Sequence, residues 1–416
     1  MSNQIGSLKM GQKFKKTPAG EIPVDWEARE LGDLCVNNPE YGANVSAIEF
    51  QEGLPRYVRI TDINDNGTLI STGAKSIQKD DAENYLLSDG EIIFARSGAT
   101  VGKTYLYNKS DGPCAFAGYT IRFKPNSSCL LPEFLFQFTH SNFYYQWVKG
   151  MLRAGAQPNI NGTEYSGLTL PIPPIKEQDG IVRILSSVDE LVSKIFGEIE
   201  KAQELKKGLM LNIFSKAEKM VKLSEICSVI TKGSTPTTYG FAFTDNGVRF
   251  IKIESIGTGG EISLKQAVYI SEQAHAAFKR SILEKDDILF SIAGALGRTV
   301  LITEELLPAN TNQALSILRL KRNMAYPRYV KYFLGSDAVR RYIKDVGTQG
   351  AQINLSLAQV GDIDVPLPSL SNQKEIVDTL SAIDSDIKAA ENQLKATQNL
   401  KISLMNMLLT GKVRVN

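Results

Sequence analysis

Pro171 to Ser215 reads PIPPIKEQDGIVRILSSVDELVSKIFGEIEKAQELKKGLMLNIFS, and Pro366 to Thr410 reads PLPSLSNQKEIVDTLSAIDSDIKAAENQLKATQNLKISLMNMLLT. At a shift of 195 residues the two stretches share 13 of 45 positions without a gap, so the segment is an internal repeat. In the first copy Ile181, Leu185, Val188, Val192, Ile195, Ile199 and Ala202 fall at alternating spacings of four and three, the stripe of a long helix. The second copy keeps it with Ile376, Leu380, Ile383, Ile387, Ala390 and Leu394. Prolines 171, 173 and 174, and again 366 and 368, lead into each helix, because proline suits a first helical turn and disfavours helix before it. Gly197 and Gly208 weaken the first copy. A helix of about 35 to 40 residues is about 55 Å long and cannot bury such a stripe alone. Two packings stay open. Each helix lies on its own globular domain, or the two copies pair as an antiparallel coiled coil, the simplest closure of a duplicated segment about a pseudo-twofold axis.

The duplication extends outward from the helices. LGDLC at Leu31 to Cys35 is answered by LSEIC at Leu223 to Cys227, and RYVRITDI at Arg56 to Ile63 by RFIKIESI at Arg249 to Ile256. The strand-loop-strand pattern of Leu87 to Tyr107 returns at Leu283 to Ile302, LPEFLFQFTHS at Leu131 to Ser141 as YPRYVKYFLGS at Tyr326 to Ser336, and GAQPNIN at Gly155 to Asn161 as GAQIN at Gly350 to Asn354. The order is therefore a polar arm over 1–20, a globular domain over 21–170, a helix over 171–216, a second domain over 217–365, a second helix over 366–410 and a tail over 411–416. The fold class is α+β. The copies differ most in their loops, as at Tyr41 to Gln51 against Gly233 to Asn246, so two similar frames present two different surfaces.

Composition bounds the function. A chain of 416 residues exceeds a single core. The first sixteen residues lack an apolar segment of signal-peptide length and no run of about 18 apolar residues occurs, which predicts a cytoplasmic protein with no membrane partner. Four cysteines without C-x-x-C spacing and two histidines argue against structural zinc. The net charge is +2, but residues 17–170 hold 12 basic against 18 acidic residues and residues 217–365 hold 18 against 15. Binding to nucleic acid would then rest on local clusters or on a partner rather than on bulk charge.

Catalytic motifs are weak. GATVGKT at Gly98 to Thr104 misses the spacing of a phosphate-cradling loop, and its counterpart within AGALGRT, Gly294 to Thr299, is one residue shorter. Asn38-Pro39-Glu40-Tyr41 lacks the second proline of the adenine-methyltransferase N-P-P-Y signature and reads as a turn. No triad, matched carboxylate pair or metal spacing appears in both copies, which suits a reader or scaffold rather than an enzyme. Candidate DNA contacts are Arg56 and Arg59 with their counterparts Arg249 and Lys252 on a strand's polar face, where a solvated face is the plain alternative. Arg96, and Lys103 and Arg298 at the glycine loops, are cations for phosphates or base edges, with a tight hairpin as the alternative. Gln157, Asn159, Gln352 and Asn354 suit adenine, or simply cap the way into the long helices. Arg328 belongs to the stretch Arg319 to Lys344, where eight basic residues and one acid are interleaved with tyrosines.

The ordered duplication, with LPIPPIKEQ and VPLPSLSNQ opening the helices and YVRITDI, GATVGK and GAQPNIN between, resembles the specificity subunit of type I restriction-modification enzymes from about Glu21 to Lys412. The resemblance implies two target-recognition domains reading the halves of a bipartite duplex site, with the paired helices as ruler and docking platform for two methyltransferase subunits and for restriction subunits. It also implies that this chain binds no cofactor, S-adenosylmethionine, ATP and Mg residing on the partners. A free-standing DNA-binding adaptor is the alternative; a docking platform should expose apolar residues beyond the helix seam, such as Leu191 and Phe196. The second helix departs from the pattern, with Asn372-Gln373 where the first has Glu177-Gln178.

Overall fold

A computed structural model describes residues 13–152, 157–216, 219–257, 259–263, 268–346 and 354–415. The chain forms two compact units, unit 1 from Met1–Phe196 with Asn392–Asn416 and unit 2 from Gly197–Glu391. The boundaries fall inside the long helices, and they too are separated by 195 residues.

Each unit carries two four-stranded sheets in the same order. In unit 1 the antiparallel sheet runs Glu40–Tyr41, Thr120–Phe123, Ile92–Ala95, Thr104–Leu106; in unit 2 it runs Cys227–Lys232, Leu315–Leu320, Ile288–Ser291, Thr299–Leu301. Ile92–Ala95 and Ile288–Ser291 are buried at every position, as strands covered on both faces must be. The second sheet places Cys114–Phe116 parallel to Arg56–Val58 in unit 1, and Ala309–Thr311 parallel to Val248–Ile251 in unit 2. In both units a glycine sits after that strand in the left-handed region, Gly67 at φ 71° and Gly260 at φ 78°. Neither tolerates a Cβ, which would lie 2.8 Å from the Thr104 carbonyl oxygen in unit 1 and 2.4 Å from that of Thr299 in unit 2.

The long helices are Ile175–Ser215 and Leu370–Leu408. Each starts later than the proline pattern indicates, because Thr169–Ile172 pairs with Glu27–Glu30 and Asp364–Pro366 pairs with Met220–Lys222 as short two-stranded sheets. A two-stranded pairing is all edge, where proline's missing donor is tolerated. Gly197 and Gly208 do not interrupt the first helix. Ile181, Leu185, Val188, Ile195, Leu380 and Ile387 are buried, and a fully buried aliphatic side chain of this size contributes about 2 kcal/mol. Val192, Ile376, Ile383 and Leu394 are half-buried; beside Ile376 it is Val377 that reaches the core.

The helices pair antiparallel as a coiled coil, and their polar contacts repeat the duplication position by position. In unit 1 Lys401 Nζ lies 2.5 Å from Asp189, which also accepts from Gln137 Nε2 at 2.9 Å. In unit 2 Lys206 Nζ lies 2.5 Å from Asp384, which accepts from the Tyr332 hydroxyl at 2.7 Å. Asp189, Lys206 and Gln137 map onto Asp384, Lys401 and Tyr332 at the shift of 195. At the helix starts, Gln178 Oε1 accepts from Leu131 N at 2.9 Å while Nε2 donates to the Cys129 and Pro173 carbonyls at 2.8 and 2.9 Å. Gln373 does the same with Tyr326, Met324 and Pro368 at 2.7, 3.2 and 2.8 Å. These two glutamines, both fully buried, lock each helix start to its domain.

The clasp at the start of the first helix is not repeated. Glu177, buried, accepts from Trp26 Nε1 at 3.0 Å and from Arg414 Nε at 2.5 Å. Arg414 also forks onto Asp25 at 2.7 and 3.0 Å, holding that carboxyl below the usual carboxylate range. The tail over 411–415 is thereby clasped into unit 1, Val413 and Val415 packing on its core. The counterparts in unit 2 are Asn372 and Lys219, and Asn372 is exposed. Residues 14–20, placed above in a loose arm, belong to a hairpin in which Phe14–Thr17 pairs with Gly20–Pro23.

Candidate nucleic-acid interface

In unit 1 the glycine loop and the GAQPNIN loop meet. Gly98 N donates to Pro158 O at 3.0 Å, Ile160 N to Arg96 O at 2.9 Å, and Ser97 bridges to Asn159. This brings Arg96 and Asn159 together. The Arg96 guanidinium lies over the Tyr41 ring at 4.7 Å, its Nε buried without a partner, and the Tyr41 hydroxyl accepts from Gly162 N at 3.0 Å. Tyr41 is not in a free turn: it pairs with Ile121 at the edge of the sheet and keeps 44% of its surface exposed. Tyr119, 64% exposed, accepts the Arg96 amide at 3.0 Å. Exposed Gln157 and Asn159 complete a surface of forked and amide donors beside open aromatic faces, which suits base edges and stacking. A recess of about 290 Å³ lined by Asn44, Tyr57, Thr61 and Tyr119 adjoins it. Tyr41 and Tyr119 were missed as contact residues in the sequence because a lone tyrosine in a turn-like stretch, Asn38 to Tyr41 or Gly118-Tyr119, carries no periodicity.

The cations proposed from the strands and glycine loops are held internally. Arg59 grips Asp62 through Nε at 2.9 Å and a terminal nitrogen at 2.6 Å, and also reaches Gly73 O at 3.0 Å. Asp62 turns the chain there, so RYVRITDI is a strand only over Arg56–Val58. Arg56 reaches the Ile70 carbonyl, its Nε buried and unpaired. Lys103 donates to Ile63 O at 3.3 Å and pairs with Asp65 at 2.7 Å, holding the Asp65 carboxyl below its usual range. Arg298, its counterpart, donates to Ile256 O at 2.6 Å. Both cations close a glycine loop on the turn after the parallel strand. The loop amides of Val101, Gly102 and Lys103 bond to Gly98, Ala95 and Thr100, so none forms a phosphate cradle.

Unit 2 presents a different surface. Leu355 N donates to Ile292 O at 2.9 Å, setting exposed Asn354 beside the glycine loop as Asn159 is set in unit 1. No arginine stands where unit 1 has Arg96; Ser291 and Ile292 occupy that place. Lys252 instead lies over the Phe243 ring at 4.0 Å, Arg249 donates to Glu305 O at 2.8 Å, and Tyr239 is 58% exposed. Arg328 is exposed on Pro327–Leu334, and Gln352 lies outside the described residues. Among the described residues no group of three or more His, Cys, Asp or Glu side chains could hold a metal, and no helix is long and apolar enough to cross a membrane.

Two similar frames with different exposed loops, joined by a pair of long helices, are also what comparison with known proteins finds. The profile of the type I restriction modification DNA specificity domain matches twice, over residues 23–203 and 216–397. The chain belongs to this family. Its specificity domains thus coincide with the two copies read from the repeat. The type I restriction enzyme MjaVIII specificity subunit of Methanocaldococcus jannaschii is 23% identical over 425 residues, covering 97% of this chain and 96% of its own. A type I restriction-modification S subunit from M. genitalium superposes with a TM-score of 0.58 at 16% identity, covering 96% of this chain and 99% of its own. A chain from a structure described as underlying complex assembly and conformational transition of the type I R-M system gives 0.60 at 18% identity, with coverage of 94% and 99%. These likenesses carry the fold of a specificity subunit over both copies.

Proposed function

We propose that this chain is the sequence-reading subunit of a type I restriction-modification complex, unit 1 reading one half of a bipartite duplex site and unit 2 the other. The observation that carries the reading is repetition of the frame with divergence of the surface: Asp189–Lys401 and Asp384–Lys206 are one contact made twice, whereas Arg96 over Tyr41 and Lys252 over Phe243 have no counterparts. A duplicated frame with unlike loops reads two unlike half-sites. In unit 1 the contacts fall to Arg96, Gln157 and Asn159 with Tyr41 and Tyr119; in unit 2 to Arg249, Lys252, Arg328 and Asn354.

The chain is non-catalytic and acts in the cytoplasm. Two methyltransferase subunits and restriction subunits dock on it and carry S-adenosylmethionine, ATP and Mg. Leu191, Phe196, Leu400 and Ile402 on the helices in unit 1, and Leu205 and Leu211 in unit 2, are 42 to 63% exposed and supply apolar surface for that docking. With half-site centres about one helical turn, roughly 34 Å, apart, the helices set the unread spacer. The test is co-expression with methyltransferase subunits: recovery of two per chain supports docking, and a chain recovered alone refutes it. A four-residue insertion in each long helix, about one turn, should lengthen the spacer by one or two base pairs. An unchanged spacer removes the ruler.

A further inference from the structure

Unit 2 carries an open cavity of about 540 Å³ whose charged lining has no role in the reading above. Six cations line it, Lys206, Lys207, Arg298, Lys331, Arg340 and Arg341, against two carboxylates, Asp337 and Asp384. Those carboxylates are already engaged, Asp384 by Lys206 at 2.5 Å and Asp337 by Lys207 and Arg340 at 3.5 and 3.1 Å. Lys331 and Arg341 have no carboxylate within 4.0 Å among the described residues. Lys331 is half-buried, its ammonium beside Gly260, and burial pushes its pKa down, Asp384 and Glu261 acting on it only from beyond ion-pair distance. A second buried group is also unsatisfied. Ser336, 6% exposed, precedes the ten-residue helix Asp337–Val346, lines the cavity, and its Oγ has no hydrogen-bond partner.

The other copy shows that the frame does not need this charge. At the shift of 195, Lys331 and Gly335 become Phe136 and His140, whose rings meet tilted at 58° with centroids 4.5 Å apart. Ser336 becomes Ser141, whose Oγ is satisfied by Tyr144 N at 3.2 Å. Lys207, Arg340 and Arg341 become Ile402, Tyr145 and Gln146. A place that carries aromatic rings in unit 1 thus carries cations in unit 2, two of them, Lys331 and Arg341, without an ion pair among the described residues. We propose that this cavity binds a phosphate group, held by Lys331 and Arg341 with the Ser336 hydroxyl donating to it. The volume falls in the range of pockets that hold small ligands, so a nucleotide-sized phosphate ester fits. A phosphodiester of the DNA has the same chemistry, and only that source rests on the function proposed above.

The test titrates the full chain with inorganic pyrophosphate by calorimetry, and measures binding of a random-sequence duplex by anisotropy across a salt series. The variants are Arg341→Gln, an exposed position that keeps the fold, and Lys331→Phe, which imports the other copy's residue and is checked by circular dichroism. Pyrophosphate binding weakened about tenfold or more by Arg341→Gln supports a free phosphate ligand. A fall of about one in the salt slope of duplex binding, with pyrophosphate ignored, supports a DNA phosphate. If wild type binds no pyrophosphate and Arg341→Gln leaves the salt slope unchanged, or if pyrophosphate binds but the folded variants alter neither measurement, the proposal is wrong. Duplex binding that survives in that case leaves the DNA-reading function intact.

Discussion

Units 1 and 2 are the same contacts made twice, and the places where they stop agreeing separate what holds the frame from what the frame serves. Gln178 and Gln373 make identical three-bond locks, and Asp189 and Asp384 each join one helix to the other. The units part company at three places: the chain-end clasp of Glu177 and Arg414, the aromatic pair of Phe136 and His140 against the charged cavity of unit 2, and the exposed loops. The first difference is a consequence of topology. Arg414 follows the second helix and turns back onto Glu177, whereas its equivalent, Lys219, leads directly into the strand Met220–Lys222.

The largest break in the comparison comes from the clasp. Arg414→Ala leaves the buried Glu177 carboxylate with the neutral Trp26 and Val415 N–H donors and no cation, and should cost about 3 kcal/mol in unit 1 by denaturant unfolding. Replacing Glu177 by Asn and Arg414 by Lys together, which imports the unit 2 pair, should recover more than half of that loss; no recovery would mean the clasp is not the local difference it looks. Next, Gln178→Ala and Gln373→Ala should each cost about 2 kcal/mol, and equally, because each removes the same bonds from the same buried place. Unequal losses in hydrogen exchange at the two helix starts would break the symmetry. Asp189→Ala and Asp384→Ala expose partly solvated pairs and should each cost at most about 1 kcal/mol, more at low salt than at high.

The smallest effect is a pH dependence confined to unit 1. Burial lowers the pKa of His140 from its ordinary 6.5, and its Nδ1 sits 2.8 Å from Phe136 O. Below pH 6.5 the unfolded chain takes up a proton that the folded chain refuses until lower pH, so this residue makes stability rise with pH and fall on acidification. His140→Gln should flatten unit 1 unfolding between about pH 7 and 5, by less than about 1 kcal/mol. Unit 2, with Gly335 there, should show no such component.

The repeat made the architecture legible. Stripes such as Ile181, Leu185 and Val188 are periodic, and periodicity survives without coordinates. Leu191 and Phe196 lie off the stripe and stand exposed, as their spacing indicates. The site was less legible. Arg59, Lys103 and Arg298 read as free cations because the sequence does not show that Asp62, Asp65 and the Ile256 carbonyl lie within reach. Tyr41 passed for a turn residue because its partner Arg96 is 55 positions away and meets it only across the sheet. The starts of the long helices were misplaced because proline marks both a helix's first turn and a strand edge, and the strand partners, Glu27–Glu30 and Met220–Lys222, are distant in the chain.

The measurement that tests the account most directly is base-resolution adenine methylation in a host expressing this chain with methyltransferase subunits, for wild type and for Arg96→Ala with Asn159→Ala. The account predicts methylation at a split site with an unread spacer, and a variant that relaxes or loses one half while the other half is unchanged. Methylation at a contiguous site, or a unit 1 variant that alters both halves alike, would contradict it.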